Sequence, residues 1–171
     1  MDVRVAKPGD AERLADLARR TFIATFAEFN TPDNMSLYVD AAFAVDRIRS
    51  ELEDSASTFI WAEQTGIPAG YAKLRRGTIR GCVTGPKPVE LERMYAETDK
   101  IGAGVGKTLL HTAIKIAQAE GYQSLWLGVW EFNERAIEFY RRQGFVDVGE
   151  QDFMLGRDRQ TDIIMQLDMR H

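Results

Sequence analysis

The sequence predicts an α/β (α+β) fold in which a central sheet carries helices on both faces. Strand-like and helix-like segments are mixed along the chain rather than grouped. One strand–helix–strand–helix–strand run extends over residues 90–148. Within it, Ser124–Trp130 (SLWLGVW) is nearly all apolar, as a strand buried on both faces must be. At 171 residues the chain fits one domain, residues 1–171, and can bury a core without disulfides or metals.

The elements follow in order. Residues 3–6 read as a short strand, and Pro8-Gly9-Asp10 ends it. Asp10 is placed to cap a helix whose apolar positions Leu14, Leu17, Phe22, Ile23 and Phe26 recur at approximate helical spacing. A second helix begins at Thr31-Pro32, a cap followed by proline at the first helical position. It carries Met35, Tyr38 and Phe43, and continues or restarts over residues 45–53. Strands at 58–63 and 69–74 flank a turn at Thr65-Gly66. Residues 77–88 (GTIRGCVTGPKP) are rich in Gly and Pro and read as a loop, the best candidate for a mobile surface element. Residues 90–96 (ELERMYA) alternate as a strand does. A helix over 104–120 has Leu109, Leu110, Ile114 and Ile116 as its apolar stripe. After Ser124–Trp130, a helix over 133–142 is closed by Gly144, and strands at 145–148 and 162–167 finish the chain.

The apolar fraction is 44% and the charged fraction 28%, ordinary for a soluble protein. No apolar stretch approaches the ~18 residues of a membrane span, and the N-terminus lacks a signal pattern, so no membrane association and a cytoplasmic location are expected. Cys82 is the single cysteine, which excludes an internal disulfide and a Cys-based zinc cluster. His111 and His171 are too few and too far apart in sequence to suggest a metal site, so no metal is expected. With 22 basic and 26 acidic residues the net charge is −4, which disfavours nucleic acid and suits a cationic small molecule better.

Between the strand at 90–96 and the next helix lies Lys100-Ile101-Gly102-Ala103-Gly104-Val105-Gly106-Lys107. Its glycines let successive N–H groups curl toward one point, and the helix that follows adds its own unsatisfied amides and positive dipole end. Together they suit a pyrophosphate, with Lys107 adding charge. The loop is not a P-loop, because Gly102 stands four positions before Gly106 where that motif needs five. It is a poor dinucleotide fingerprint, because Lys107 occupies the third small-residue position. A glycine-rich turn for tight packing is the other reading.

The order of segments decides between these. ELERMYA, ETDKIGAGVGKTLLHTAI, SLWLGVW and NERAIEFYRRQGF, with Asn133, Ala136, Tyr140, Gly144 and Phe145 at characteristic spacing, together resemble the acetyl-CoA-binding core of the GNAT superfamily. One departure is Ile101, where that family carries Gln or Arg. Residues 21–43, 125–140 and 160–165 resemble the PaiA-type branch, which is associated with polyamines such as spermidine. The resemblance implies a mixed, mostly antiparallel sheet of about six to seven strands. It further implies acetyl-CoA or CoA as co-substrate, direct transfer of acetyl to the primary amine of a small molecule, and a fold family in which homodimers are common. Acetyltransferases for a peptide N-terminus or an antibiotic amine, and a CoA-binding regulatory module with little catalysis, are the alternatives.

By the same resemblance, Met94, Tyr95 and Ala96 pair through their backbone with the cofactor's arm, Gly102, Ala103, Gly104, Val105, Gly106 and Lys107 hold its pyrophosphate, and Asn133 and Ala136 adjoin its amides. Asn133 also suits a helix N-cap. Tyr140 takes the position of the general acid that protonates the leaving thiolate, and a buried aromatic packed on the sheet would fit the same helical position. Glu90 and Glu92 share one strand face by the period-two rule, where they serve as base, hold a cationic amine, or pair with Arg75 or Arg93. Acceptor-side candidates are Glu28, Asp33, Tyr38 and Asp40, whereas Trp61, Trp126 and Trp130 read as core.

Overall fold

The computed structural model describes residues 1–170, and His171 lies outside them. Seven strands form one sheet in the order β1-β2-β3-β4-β5-β7-β6. They are β1 (Asp2–Val5), β2 (Ser57–Gln64), β3 (Ile67–Arg75), β4 (Pro88–Ala96), β5 (Ser124–Trp130), β6 (Val146–Leu155) and β7 (Asp158–Asp168). Every neighbouring pair is antiparallel except β4 and β5. Helices α1 (Ala11–Phe26), α2 (Pro32–Ala42) and α3 (Val45–Glu53) pack on one face around Phe59, Trp61 and Tyr71. Helices α4 (Val105–Ala119) and α5 (Glu134–Arg142) pack on the other around Ile60, Ala72, Leu125 and Leu127. None of the described helices is long and apolar enough to cross a membrane.

Local chemistry sets most element ends. Thr31 Oγ1 accepts from the Asn34 N–H at 3.2 Å and starts α2. Asn133 Oδ1 accepts from the Ala136 N–H at 3.3 Å and starts α5, and Gly144, at φ +100°, ends it. Asp10 behaves differently from the cap expected. Its carboxylate takes the Lys7 N–H at 2.7 Å and pairs with Arg4 at 2.8 Å. The Arg4 bond foremost holds its pKa down at about 2. In α4 the buried stripe is Val105, Leu109, Leu110, Ala113 and Ala117, with Ile114 and Ile116 only partly covered.

Two segments depart from expectation. Loop 76–87 is pinned rather than loose. Val83 is buried against Trp126 and Ile164, and Gln166 Oε1 accepts from the Thr84 N–H at 3.0 Å. The loop thus covers the part of the α1–α3 face that the helices leave bare. Strands β6 and β7 are longer than expected and form a hairpin. The added part of β6 begins with the polar residues 149–152 on a sheet edge, so no apolar periodicity continues from residues 145–148 into it. The hairpin tip docks on α2, where Asn34 Oδ1 accepts from the Arg157 N–H at 2.9 Å.

Gly156 permits that docking. It lies at φ +63°, and a Cβ there would stand 2.6 Å from Asn34 Oδ1 and 2.8 Å from its backbone oxygen. Gly156→Ala is therefore expected to lower stability by about 2 kcal/mol in urea unfolding; an unchanged midpoint would show that the tip does not hold α2.

Candidate active site

The geometry of the site begins with β4 and β5. They pair only at Pro88↔Ser124, Val89↔Leu125 and Glu90↔Trp126. Beyond Glu90 the strands part, leaving the β5-facing edge of residues 91–96 and the facing edge of residues 127–130 without strand partners. An extended chain can add to such an edge through main-chain hydrogen bonds. Met94, Tyr95 and Ala96 lie along it, and their other edge is held by β3. At the open end of the gap stands the glycine loop. Gly102 and Gly104 have φ of +87° and +89°, Gly104 caps α4, and a Cβ on either would meet nothing within 4 Å. Among the described residues, no acceptor meets the N–H groups of Gly102, Gly104, Val105, Gly106 and Lys107, whereas the Ala103 N–H bonds Lys100 O at 3.1 Å. This row of free amides at a helix N-terminus is an anion cradle. Ile101 and Lys107 are exposed beside it.

A cavity of about 290 Å³ opens where the strands part. Tyr140, Glu90, Glu92, Met94, Tyr95, Asn133 and Ala136 all line it. Tyr140 comes from the last turns of α5, packed edge-on against Phe139 and Phe145. Its hydroxyl makes no hydrogen bond with a described residue, and burial pushes its pKa up, so it stays protonated over the working range.

The two glutamates differ sharply. Glu90 is 7% exposed and accepts one hydrogen bond at 2.7 Å from Thr78 Oγ1 on loop 76–87. Burial pushes its pKa up against that bond. Glu92 occupies a β-bulge, since Lys73 pairs with Arg93 and Leu74 with Leu91. The bulge breaks the alternation and turns Glu92 and Arg93 both toward α3. There Lys73, 2% exposed, binds Glu51 and meets Glu92 at 2.6 Å, and Arg93 meets Glu51 at 3.4 Å. Burial alone would raise the Glu92 pKa, but Lys73, Arg93 and Arg75 outweigh it and hold the group below its usual value. Glu90 is thus the carboxylate of the pair left without an ion pair, and Glu92 the one engaged by cations. Lys73→Met strands two carboxylates in this network and is expected to destabilise the fold by about 3 kcal/mol or more by thermal unfolding; a neutral result would mean water already solvates them.

Residues that sequence reading missed complete the cavity. Asp162 on β7 and Gln151 on β6 lie across Gly128 of β5, where a Cβ would stand 2.4 Å from Gln151 Nε2 and 3.2 Å from Asp162 Oδ2. Arg80 from the pinned loop donates to Gln151 Oε1 at 2.8 Å. Phe22, Phe26, Tyr38, Trp130 and Phe153 form an aromatic wall. Trp130, expected in the core, is nearly buried but faces the cavity, because β5 turns its even-numbered residues to the side where α1 and α2 stop short. Trp61 and Trp126 are fully buried. Of the acceptor-side candidates, Tyr38 lines the cavity and stacks on Phe22 at 4.7 Å. Glu28 and Asp33 are exposed outside it, and Asp40 pairs with Arg19 at 3.0 Å on the surface. The alternating ladder of β7, with Asp162 opposite Trp130, was the available signal for Asp162.

Burial raises the Asp162 pKa from 3.8 to about 6, with the Gln151 bond opposing. The folded protein therefore binds more protons than the unfolded chain between those values. This group's contribution to stability is greatest at low pH and is lost as pH rises through about 6. Asp162→Asn is expected to be more stable than wild type at neutral pH by on the order of 2 kcal/mol, with the gain vanishing near pH ~4. Urea unfolding across pH measures it, and a pH-independent difference would contradict it.

A parted parallel strand pair and Tyr140 on α5 line one cavity, and the glycine cradle opening α4 adjoins it, a Cβ on Gly106 standing 3.9 Å from Met94 Cε. A model of the Acetyltransferase (GNAT) family matches residues 12–145. The chain belongs to the GNAT acetyltransferase family. An uncharacterised N-acetyltransferase from the pepI 3′ region of Lactobacillus delbrueckii subsp. lactis is 32% identical over 157 residues, 92% of this chain and 91% of that protein. Spermidine N(1)-acetyltransferase of Thermoplasma acidophilum is 24% identical over 161 residues, 91% of this chain and 95% of that one. The crystal structure of PaiA N-acetyltransferase from Thermoplasma acidophilum in complex with coenzyme A matches with a TM-score of 0.79 at 22% identity, over 98% of this chain and 99% of that one. This GNAT protein is an N-acetyltransferase with acetyl-CoA as its donor.

Proposed function

We propose that this GNAT enzyme transfers acetyl directly to the primary amine of a small cationic molecule, with polyamines such as spermidine as the acceptor class. The observation that carries this reading is the pairing of Glu90 with Tyr140 in one cavity. One is a buried carboxylate with no cationic partner among the described residues, and the other is a protonated phenol with no protein acceptor. Acetyl-CoA supplies an acetyl group activated as a thioester, whose leaving group is a thiolate. The free amides of the glycine loop fit its pyrophosphate, the open edge of Met94, Tyr95 and Ala96 fits its amide-bearing arm, and the Asn133 side chain, whose oxygen is used by the helix cap, keeps its NH₂ for the same arm.

An ammonium has no lone pair, so the acceptor must first lose a proton. Thr78 occupies Glu90 Oε1 and leaves Oε2 to take that proton, directly or through water. A raised carboxyl pKa brings Glu90 closer to the amine it must deprotonate. Tyr140 keeps its hydroxyl proton until sulfur needs it. The polyamine reading is supported by two cavity carboxylates without an ion pair among the described residues, Glu90 and Asp162, and by aromatic walls suited to a methylene chain. The relative named as a spermidine N(1)-acetyltransferase points the same way.

Steady-state CoA release with spermidine, other small amines and peptides tests this. Tyr140→Phe and Glu90→Gln should each lower kcat/KM by about 10²-fold. Wild-type kcat/KM should rise with pH through the raised Glu90 pKa, and Glu90→Gln should lose that limb. Full turnover in Tyr140→Phe would leave water as the proton donor, and turnover of peptides alone would remove small amines as acceptors.

A further inference from the structure

Asp162 takes no part in the proton transfers assigned to Glu90 and Tyr140. It is 8% exposed, it lines the cavity, and no cation meets it among the described residues. Its one protein hydrogen bond runs from Gln151 Nε2 to Oδ2 at 3.4 Å, and Oδ1 has no partner among the described residues. A buried carboxylate in this state normally finds a cation or several donors. The nearby cation does not serve. Arg80 gives its Nε to Gln151 Oε1 at 2.8 Å and an NH to Ile79 O at 3.1 Å, while its guanidinium lies over the Trp126 ring, 5.3 Å from the centroid. By taking the amide oxygen, Arg80 fixes the Gln151 orientation with NH₂ toward Asp162. Gly128 leaves room for this arrangement, which a Cβ would displace. The sequence therefore spends three further residues on holding Asp162 in place.

Its position also separates it from the chemistry. Glu90 sits at the closed end of the β4–β5 gap, whereas Asp162 lies on β7, across β5 from that gap and opposite Trp130. Trp130, Phe153 and Tyr38 supply aromatic faces in the same cavity, a surrounding that favours a cation with an apolar stem.

We infer that Asp162, oriented by Gln151 and Arg80, binds a second cationic nitrogen of the acceptor and makes the enzyme select amines that carry two nitrogens over those that carry one. This rests on the small-amine reading above and names the residue that gives it specificity. Asp162 acts by binding, and Gln151 and Arg80 act through it as positioning residues.

The test compares diaminobutane with butylamine at saturating acetyl-CoA, in wild type and Asp162→Asn. Wild type should prefer the diamine. Asp162→Asn should erode that preference by about 30-fold, through KM for the diamine more than through kcat. Gln151→Leu should erode it in the same direction by a smaller factor. Isothermal titration of diaminobutane into the CoA-loaded protein should show the same loss of affinity without turnover. Equal losses for both amines, or a fall in kcat for both with a displaced pH profile, would overturn the inference and place Asp162 in structure or in proton transfer. A wild type that turns over both amines equally would overturn it while leaving the small-amine reading intact. A wild type that turns over neither amine, nor spermidine, and accepts only peptides would overturn that reading itself.

Discussion

Strands β4 and β5 run parallel for three residue pairs and then separate, although each keeps an antiparallel neighbour on its other side. A gap between central strands leaves backbone donors and acceptors inside the sheet without partners, an arrangement that a sheet avoids unless something else supplies them. The bulge at Glu92 interrupts the β3–β4 register at this point, and the buried charges around Lys73 hold the bulged residues against α3. The remainder of the site depends on that separation. The glycine cradle stands at the open end, Tyr140 reaches in from α5, and Glu90 marks the closed end.

Two kinds of buried charge meet in this region, and they do different work. Lys73, Glu51, Glu92 and Arg93 neutralise one another and fix the shape of β4. Glu90 and Asp162 have hydrogen bonds but no cation, and burial raises the pKa of both. Unpaired buried carboxylates oppose folding, so their retention beside a cavity is expected where a bound group completes them. The cavity is built from elements distant in sequence. Helices α1 and α2, loop 76–87 and the β6–β7 hairpin each close one side, and contacts such as Asn34 with Arg157 and Arg80 with Gln151 join them.

Much of this was legible in the sequence. The glycines at 102, 104 and 106, the Asn133 cap, the Tyr140 position and the apolar β5 are local signals, set by backbone conformation, helix spacing and burial. The acetyltransferase core was readable because its glycine loop, its helix cap and its strand edges are set by backbone geometry, which nearby residues dictate. The β6 extension escaped notice because an edge strand needs no apolar alternation, and the pinned loop because its anchors, Gln166 and Trp126, lie far along the chain.

What the sequence determined by itself was the order of elements, the glycine cradle and the positions of Tyr140 and Asn133 on their helix. Tertiary structure alone decided which glutamate is free to take a proton, since the bulge that hands Glu92 to Lys73 is a property of strand pairing. It alone brought Asp162 and Trp130 to the cavity and left Glu28, Asp33 and Asp40 outside it. The physical reason is that side-chain charge and burial depend on partners brought together across the sheet, whereas glycine conformation, caps and helix faces depend on neighbours a few residues away.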